Sequence, residues 1–162
     1  MKTKHVISAI LACFVAICST SVLAQKSSNP IFAASTSIPF ELSLLSMKIG
    51  AENTINIGSI SGGGGAGKAT FKELTFTKLP DAATAELLRL LTTGDSVANL
   101  FITQGNARWE LGLVMVSDYS SEGVAGRDGA QIESWVLQFG SMRAIVDGVE
   151  WCWNRIENES CN

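Results

Sequence analysis

A glycine run near the middle of the chain, Gly62–Lys68, has the spacing of a phosphate-binding loop. In such loops a glycine, four further residues, a second glycine and a lysine surround a phosphate, and the next residue is a Ser or Thr that binds magnesium. Here Gly67 and Lys68 fit, but Ala69 follows and has no hydroxyl. The next residues also alternate like a strand, whereas a phosphate loop leads into a helix whose N-terminal amides hold the anion. The run therefore does not indicate nucleotide binding, and a flexible connection between strands is the simpler interpretation.

Acid–base and metal chemistry has few candidate residues. The only histidine, His5, lies in the first residues of the chain, and histidine is the commonest general base and metal ligand. Paired carboxylates could still do acid–base work if two of them were held across a cleft. The candidate carboxylates are scattered along the sequence, at Glu73, Glu86, Glu110, Asp118, Glu122, Asp128 and Glu133. The sequence predicts no catalytic residue, no metal site and no cofactor.

The first 24 residues predict a secretory signal peptide. Lys2 and Lys4 give a charged start, an apolar run of about 13 residues follows, and Val22 and Ala24 suit cleavage before Gln25. The apolar run is shorter than the roughly 20 residues that cross a bilayer as a permanent helix. We therefore expect an exported protein, periplasmic or secreted, with no stable membrane insertion after cleavage. An uncleaved anchor is the alternative.

Export changes the interpretation of the two remaining cysteines, Cys152 and Cys161. In an oxidising compartment a pair nine positions apart is expected to form a disulfide. The chain-entropy estimate for a closed loop of about 10 residues is roughly 2.7 kcal/mol. Two free thiols are the alternative, and two sulfurs without histidine make a poor metal site.

The charge of the chain bears on its partners. Without Lys2 and Lys4 the 12 basic residues become 10 against 15 acids, so the mature net charge is −5. An acidic domain without a basic stripe argues against nucleic acid and against anionic lipid surfaces.

The tryptophans are candidates for a sugar-binding platform, since Trp151 and Trp153 would share one face of a strand. Packing of Trp109, Trp135 and this pair inside the domain or at a subunit edge is the simpler interpretation. Met115, beside Leu113 and the valines that flank it, is expected in the core.

Hydrophobic periodicity predicts a mainly-β domain over residues 39–162, after a flexible arm at 25–38 that contains Pro30 and is followed by Pro39. A change of alternation near Lys72–Glu73 predicts a bulge or a strand that passes between two sheets. One helix is expected from about Ala82 to Thr93, capped by Asp81 and ended by Gly94.

The expected strands are Phe40–Ile49, Ile55–Ile60, Lys68–Lys78, Val97–Thr103, Arg108–Ser117, Ile132–Phe139, Arg143–Val146 and Val149–Trp153, with turns at Gln104-Gly105-Asn106 and Asp147-Gly148 and a loop at Asp118–Gly129. Short strands, regular turns and one helix predict a compact β-barrel or two-sheet sandwich with one flanking α-helix.

The stretch GGGGAGKATFKELTFTKLPDAATAELLRLLTTGD, residues 62–95, resembles the signature segment of the haemolysin-coregulated protein family, Hcp, which forms the tube of type VI secretion systems. In that family a glycine run ending in Ala-Gly-Lys leads to a strand that closes in Ser-Phe-Thr-Lys, followed by a capped helix. The corresponding strand here closes in TFTK, at Thr75–Lys78. Further along, WVLQFG at Trp135–Gly140 resembles the late strand of the family, and WCWN at Trp151–Asn154 falls near its closing strand.

The resemblance implies a structural protein rather than an enzyme. Six copies would close into a ring with a wide central channel, and rings would stack into a tube or hold small effector proteins in the channel. The residues of the implied ring-stacking loop are Gly62, Gly63, Gly64, Gly65, Ala66, Gly67 and Lys68. A loop without side chains can lie against the backbone of a partner.

Two features depart from the family pattern. Family members usually begin with an additional long strand, where this chain has Lys26–Pro39, shorter and broken by prolines. The secretion tube is built from the cytoplasm, whereas residues 1–24 direct export. A monomeric exported binding or adhesion module with the same fold is therefore the alternative to a ring.

Overall fold

The computed structural model describes residues 30–36, 38–39, 41–54, 69–123 and 131–161. Within these ranges the elements are β1 (Ile31–Ala34), β2 (Leu42–Leu44), β3 (Ser46–Lys48), β4 (Ala51–Asn53), β5 (Ala69–Phe71), β6 (Leu74–Lys78), α1 (Ala82–Thr93), β7 (Ser96–Gln104), β8 (Ala107–Gly123), β9 (Gln131–Val146), β10 (Val149–Asn154) and β11 (Glu159–Ser160). In this part of the chain, no helix has the length and apolar character needed to span a membrane.

The described strands form two sheets. Nine belong to a large sheet with the order β11-β10-β9-β8-β7-β1-β2, in which β6 also pairs with β9, and β3 with β6. Strands β4 and β5 form a separate two-stranded ribbon. The predicted mainly-β fold of two sheets with one helix is confirmed. A barrel closed by continuous pairing is not present in the described ranges: residues 42–48 pair with β1 through their first half and with β6 through their second, with Leu45 between.

The change of alternation near Lys72–Glu73 marks the passage between the sheets. Before it β5 pairs with β4 in the ribbon, and after it β6 pairs with β9 in the large sheet. The side chains that point to the core therefore change parity, with Phe71 buried before the break and Leu74 and Phe76 buried after it. This confirms a strand that crosses from one sheet to another.

Helix α1 begins and ends where the sequence predicts. The Asp81 side chain accepts a hydrogen bond from the Ala83 amide at 2.9 Å, and Gly94 ends the helix in the left-handed region with φ of 72°. Its apolar face buries Leu87 and Leu90 against the large sheet. The two predicted hairpin turns are also present.

The two longest strands, β8 and β9, share a kink at one level. Leu113 has a positive φ of 50°, and core-facing residues change parity there, from Leu111 to Val114 on β8 and from Phe139 to Met142 on β9. A Cβ on Gly140 would lie 3.2 Å from that of Leu113, so a glycine lets the two strands approach at the kink.

Four expectations differ from the structure. The predicted flexible arm contains strand β1, which pairs with both β2 and β7 and buries Ala33. The sequence of this short strand does not reveal it, because the strands that stabilise it are distant in sequence. The predicted loop at Asp118–Gly129 is strand as far as Gly123, since β9 pairs with it; residues 124–130 lie outside the described ranges. The two predicted strands Ile132–Phe139 and Arg143–Val146 are a single strand, β9. Met115 is 41% exposed, because alternation turns it outward between Val114 and Val116.

Candidate assembly surface

The β4–β5 ribbon carries the two ends of the segment that contains the predicted stacking loop. Asn53 pairs with Ala69 and Ala51 with Phe71, so the segment leaves and re-enters the ribbon at adjacent positions. Residues 55–68, including Gly62–Lys68, lie outside the described ranges. An ion pair between the exposed side chains of Lys72 and Glu52, 3.0 Å apart, joins the two sides of the ribbon.

Aromatic packing holds the ribbon against the large sheet. The ring of Phe71 lies with its centroid 5.6 Å from that of Trp151 and 6.2 Å from that of Trp153. The two indoles lie nearly parallel, 6° apart, with centroids at 6.3 Å. Trp135 is fully buried against Tyr119, at 4.3 Å, and Trp153 is half-buried. The packing interpretation of these tryptophans agrees with the contacts, although Trp151 keeps 43% of its surface exposed.

Arg155 connects the ribbon to the C-terminal turn, a role that the sequence analysis missed. Its guanidinium donates through Nη1 to the Phe139 carbonyl and through Nη2 to the Phe71 carbonyl, each at 2.9 Å. It also lies over the Phe139 ring, 4.5 Å from the centroid. Its backbone N–H donates to the carbonyl of Gly140 at 2.8 Å. No motif signals this residue, since its main acceptor is 84 positions away in the sequence.

The two cysteines lie at disulfide distance and close a loop around Arg155. The Cα atoms of Cys152 and Cys161 are 5.3 Å apart, within the range of protein disulfides. Inside this loop β11 pairs with the end of β10. The Asn154 carboxamide oxygen accepts from the backbone N–H of Ile156 at 3.0 Å and shapes the turn.

The most deeply buried charges are Lys78, which ends the TFTK motif, and Glu133. Lys78 Nζ lies 3.0 Å from Glu133 Oε2 and 2.8 Å from Asp81 Oδ1, and the Lys78 and Glu133 side chains are 0% and 2% exposed. The same ammonium donates to the Thr84 hydroxyl at 3.0 Å. Glu133 Oε2 also accepts from Thr84 at 2.9 Å and from the Trp135 indole N–H at 3.2 Å.

This cluster joins three elements, β6, α1 and β9, at the N-terminus of the helix. A buried ion pair is tolerated only when hydrogen bonds satisfy its remaining donors and acceptors, as they do here. The described residues contain no buried side-chain nitrogen or oxygen without a partner. Lys78 and Glu133 are closed to solvent and engaged with each other, and with Thr84 they tie the three elements together.

Of the other candidate carboxylates that the structure describes on the strands and their connections, Glu73, Asp118 and Glu122 are exposed and Glu110 is partly exposed. Glu73 accepts a hydrogen bond from Gln138, and Glu110 pairs with Arg108 at 3.0 Å on the outer face of the large sheet. Asp118 and Glu122 are exposed on β8. Asp128 lies outside the described ranges.

Glu86 belongs to a surface ion cluster at the end of α1. Arg89 donates to Glu86 at 2.7 Å and to Asp95 at 2.7 Å. The hydrogen bonds from Arg89 lower the pKa of Glu86 below 4.5 and that of Asp95 below 3.8, and they raise the pKa of Arg89. In this cluster Arg89 bridges the two acids, Glu86 within the helix and Asp95 just after it.

Among the residues that the structure describes, no three His, Cys, Asp or Glu side chains are grouped as metal ligands.

Comparison with known proteins assigns the fold and the family. Residues 39–145 match the family model described as type VI secretion system effector, Hcp. The chain belongs to the Hcp family. Its match covers more than half of the chain and includes both the TFTK strand and helix α1.

Solved structures agree with this assignment. A type six secretion system protein is similar over 83% of this chain and 100% of its own, with a TM-score of 0.73 and 18% identity. Hcp1 from Salmonella typhimurium is similar over 83% and 99%, with a TM-score of 0.65 and 18% identity. A chain in the six-fold symmetrised baseplate of the anti-feeding prophage is similar over 74% and 93%, with a TM-score of 0.51 and 14% identity. No curated protein matches the chain by sequence.

Proposed function

We propose that this Hcp-family chain is an exported structural subunit that assembles with itself into a hexameric ring. The observation that carries the proposal is the structural match, with a TM-score of 0.73, over the full length of a type six secretion system protein. The similarity to a chain from a six-fold symmetrised baseplate supports six as the number of copies. In such a ring one edge of a subunit meets the opposite edge of the next.

Ring stacking is proposed to use residues 62–68. Supporting this, the ribbon that carries both ends of this segment pairs with no strand of the large sheet. A glycine-rich segment offers backbone donors and acceptors without side chains in the way, which suits contact with the backbone of a neighbouring ring. The central channel would hold small effector proteins.

Export by the predicted signal peptide at residues 1–24, with cleavage before Gln25, would place the rings in the periplasm or outside the cell. The cysteine pair at disulfide distance supports an oxidising location. The function is binding by surface complementarity, without covalent chemistry on a substrate. The closed Lys78–Glu133 cluster supports this, because the most buried charges are out of reach of solvent.

The test uses protein exported by its own leader and purified without reductant. Mass spectrometry should show a chain that begins at Gln25. Size-exclusion chromatography with light scattering should give six times the mass of one subunit, and electron microscopy should show rings with a channel. A single-subunit mass over the whole range of protein concentrations would contradict the ring and favour the monomeric binding module.

A further inference from the structure

No backbone strand pairing joins the described β4–β5 ribbon to the large sheet. Its strands pair only with each other, and the Lys72–Glu52 ion pair and the hydrogen bond from the Lys72 amide to the Gly50 carbonyl are internal to it. It is joined to β3 and β6 by two-residue chain connections, Phe71 is buried in the core with Ala69 packed against it, and the contacts that reach the ribbon from the C-terminal part of the large sheet are the rings of Trp151 and Trp153 and the guanidinium of Arg155. Aromatic packing is compatible with sliding, whereas a guanidinium that bridges two carbonyls fixes a direction and a distance.

Arg155 is itself held by the turn in which it stands. Its backbone N–H is bonded to Gly140, and the turn on its C-terminal side is fixed by the Asn154 side chain. The chain then returns along β10 through two residue pairs and is joined at Cys161 to Cys152. A two-residue strand at a sheet edge has little stability of its own, so the covalent link is what closes the turn.

We propose that Arg155 is a positioning residue for the β4–β5 ribbon and that the Cys152–Cys161 disulfide sets how firmly it does so. In the oxidised protein the closed turn holds the guanidinium between the Phe139 and Phe71 carbonyls, and the ribbon keeps one position. A dithiol reductant supplies two electrons and two protons, the S–S bond becomes two thiols, and the dithiol becomes its own disulfide. The turn then opens more often and the ribbon loses its anchor.

The consequence for assembly rests on the proposed function. A reduced chain in the cytoplasm would have a loosely placed ribbon, and an oxidised chain after export would have a fixed one. Stacking through the segment that the ribbon carries would then be favoured only after export. The positioning of the ribbon by Arg155 and the disulfide is a property of one subunit and can be measured whether or not rings form.

Hydrogen exchange with mass spectrometry on the mature exported chain directly tests whether Arg155 and the disulfide position the ribbon. The probe peptides cover β4 and β5, and a peptide from α1 serves as internal reference. Treatment with dithiothreitol and the Arg155→Ala substitution should each speed exchange of the hydrogen-bonded ribbon amides by roughly ten- to a hundredfold, the factor that hydrogen bonds from a charged donor represent. Exchange in α1 should stay the same.

Three controls make the result decisive. Arg155→Lys keeps the charge but cannot bridge two carbonyls with a planar fork, so its ribbon should exchange at an intermediate rate. Arg108→Ala removes an arginine of the same sheet that pairs with Glu110 at 3.0 Å on the surface, and it should leave the ribbon unchanged. Cys152→Ser/Cys161→Ser should behave like the reduced protein and should no longer respond to dithiothreitol.

Unchanged ribbon exchange in Arg155→Ala would overturn the positioning role. A ribbon that responds to Arg155→Ala but not to dithiothreitol or to the double serine variant would overturn the role of the disulfide. Electron microscopy of the same samples addresses assembly separately. If ribbon exchange responds as expected but the oxidised wild type never forms rings, the proposed ring function fails while the inference about Arg155 holds.

Discussion

Removing the Lys78 ammonium should destabilise the protein far more than removing a surface lysine. In Lys78→Met the side-chain volume is nearly kept, but the Glu133 carboxylate, whose side chain is 2% exposed, loses the cation 3.0 Å away. Breaking a buried pair in this way costs about 3–5 kcal/mol, because it leaves an uncompensated buried charge. The matched control is Lys72→Met in the ion pair with Glu52, where both side chains are more than half exposed and the expected cost is below about 1 kcal/mol.

A double variant separates the cost of a lone charge from the value of the pair. Lys78→Met/Glu133→Leu removes both charges, so it should be more stable than the sum of the two single variants predicts, by roughly 2 kcal/mol or more. Urea unfolding followed by tryptophan fluorescence gives these free energies, and Trp135, whose indole N–H contacts Glu133, reports on the site. All variants are compared at one protein concentration, because assembly would stabilise the folded state by mass action. Equal costs for Lys78→Met and Lys72→Met, or a strictly additive double variant, would refute the argument.

Three further predictions concern assembly, covalent state and pH. Replacing Gly64 and Gly65 with bulky residues should leave the fold of the subunit intact, as judged by circular dichroism, but abolish stacking; filaments or tubes of normal length by electron microscopy would count against a stacking role. The exported protein should contain no thiol that reacts with a labelling reagent until reductant is added, since Cys152 and Cys161 lie at disulfide distance; two reactive thiols without reductant would reject the pairing. Arg89→Gln should lower the melting temperature near neutral pH but have no effect near pH 2. Glu86 and Asp95, whose pKa values are lowered by Arg89, stabilise the fold above their unfolded-state pKa and lose this contribution as pH falls through their folded-state pKa. A change in melting temperature of equal size at both pH values would contradict this origin.

Local patterns were sufficient to predict the elements that depend on local interactions. Helix α1 has its cap at Asp81 and its terminal glycine within 14 residues of sequence, and both are where they were expected. The break at Lys72–Glu73 was also visible, because a change of sheet must change which side chains alternate inward. The fold class followed from these elements.

Features that depend on distant partners were missed. Strand β1 has only four residues after a proline, and it becomes a strand because β7 and β2 lie on either side of it. The continuation of β8 to Gly123 depends on β9, although its own sequence is rich in polar residues. The deep burial of Glu133 depends on Lys78, 55 positions earlier, and the anchoring role of Arg155 depends on Phe71. No window of local sequence contains both partners of such contacts.

The place of β1 inside the large sheet has a practical consequence for the start of the mature chain. Six residues, Gln25 to Pro30, separate the proposed cleavage point from Ile31, and fully extended they reach only about 20 Å. A chain still tethered by its leader in the bilayer would therefore have to seat β1 between β2 and β7 almost against the lipid surface. With the proposed cleavage before Gln25, removal of the leader and completion of the sheet would be spatially linked, and an affinity tag fused at Gln25 would need its own spacer to avoid the same crowding.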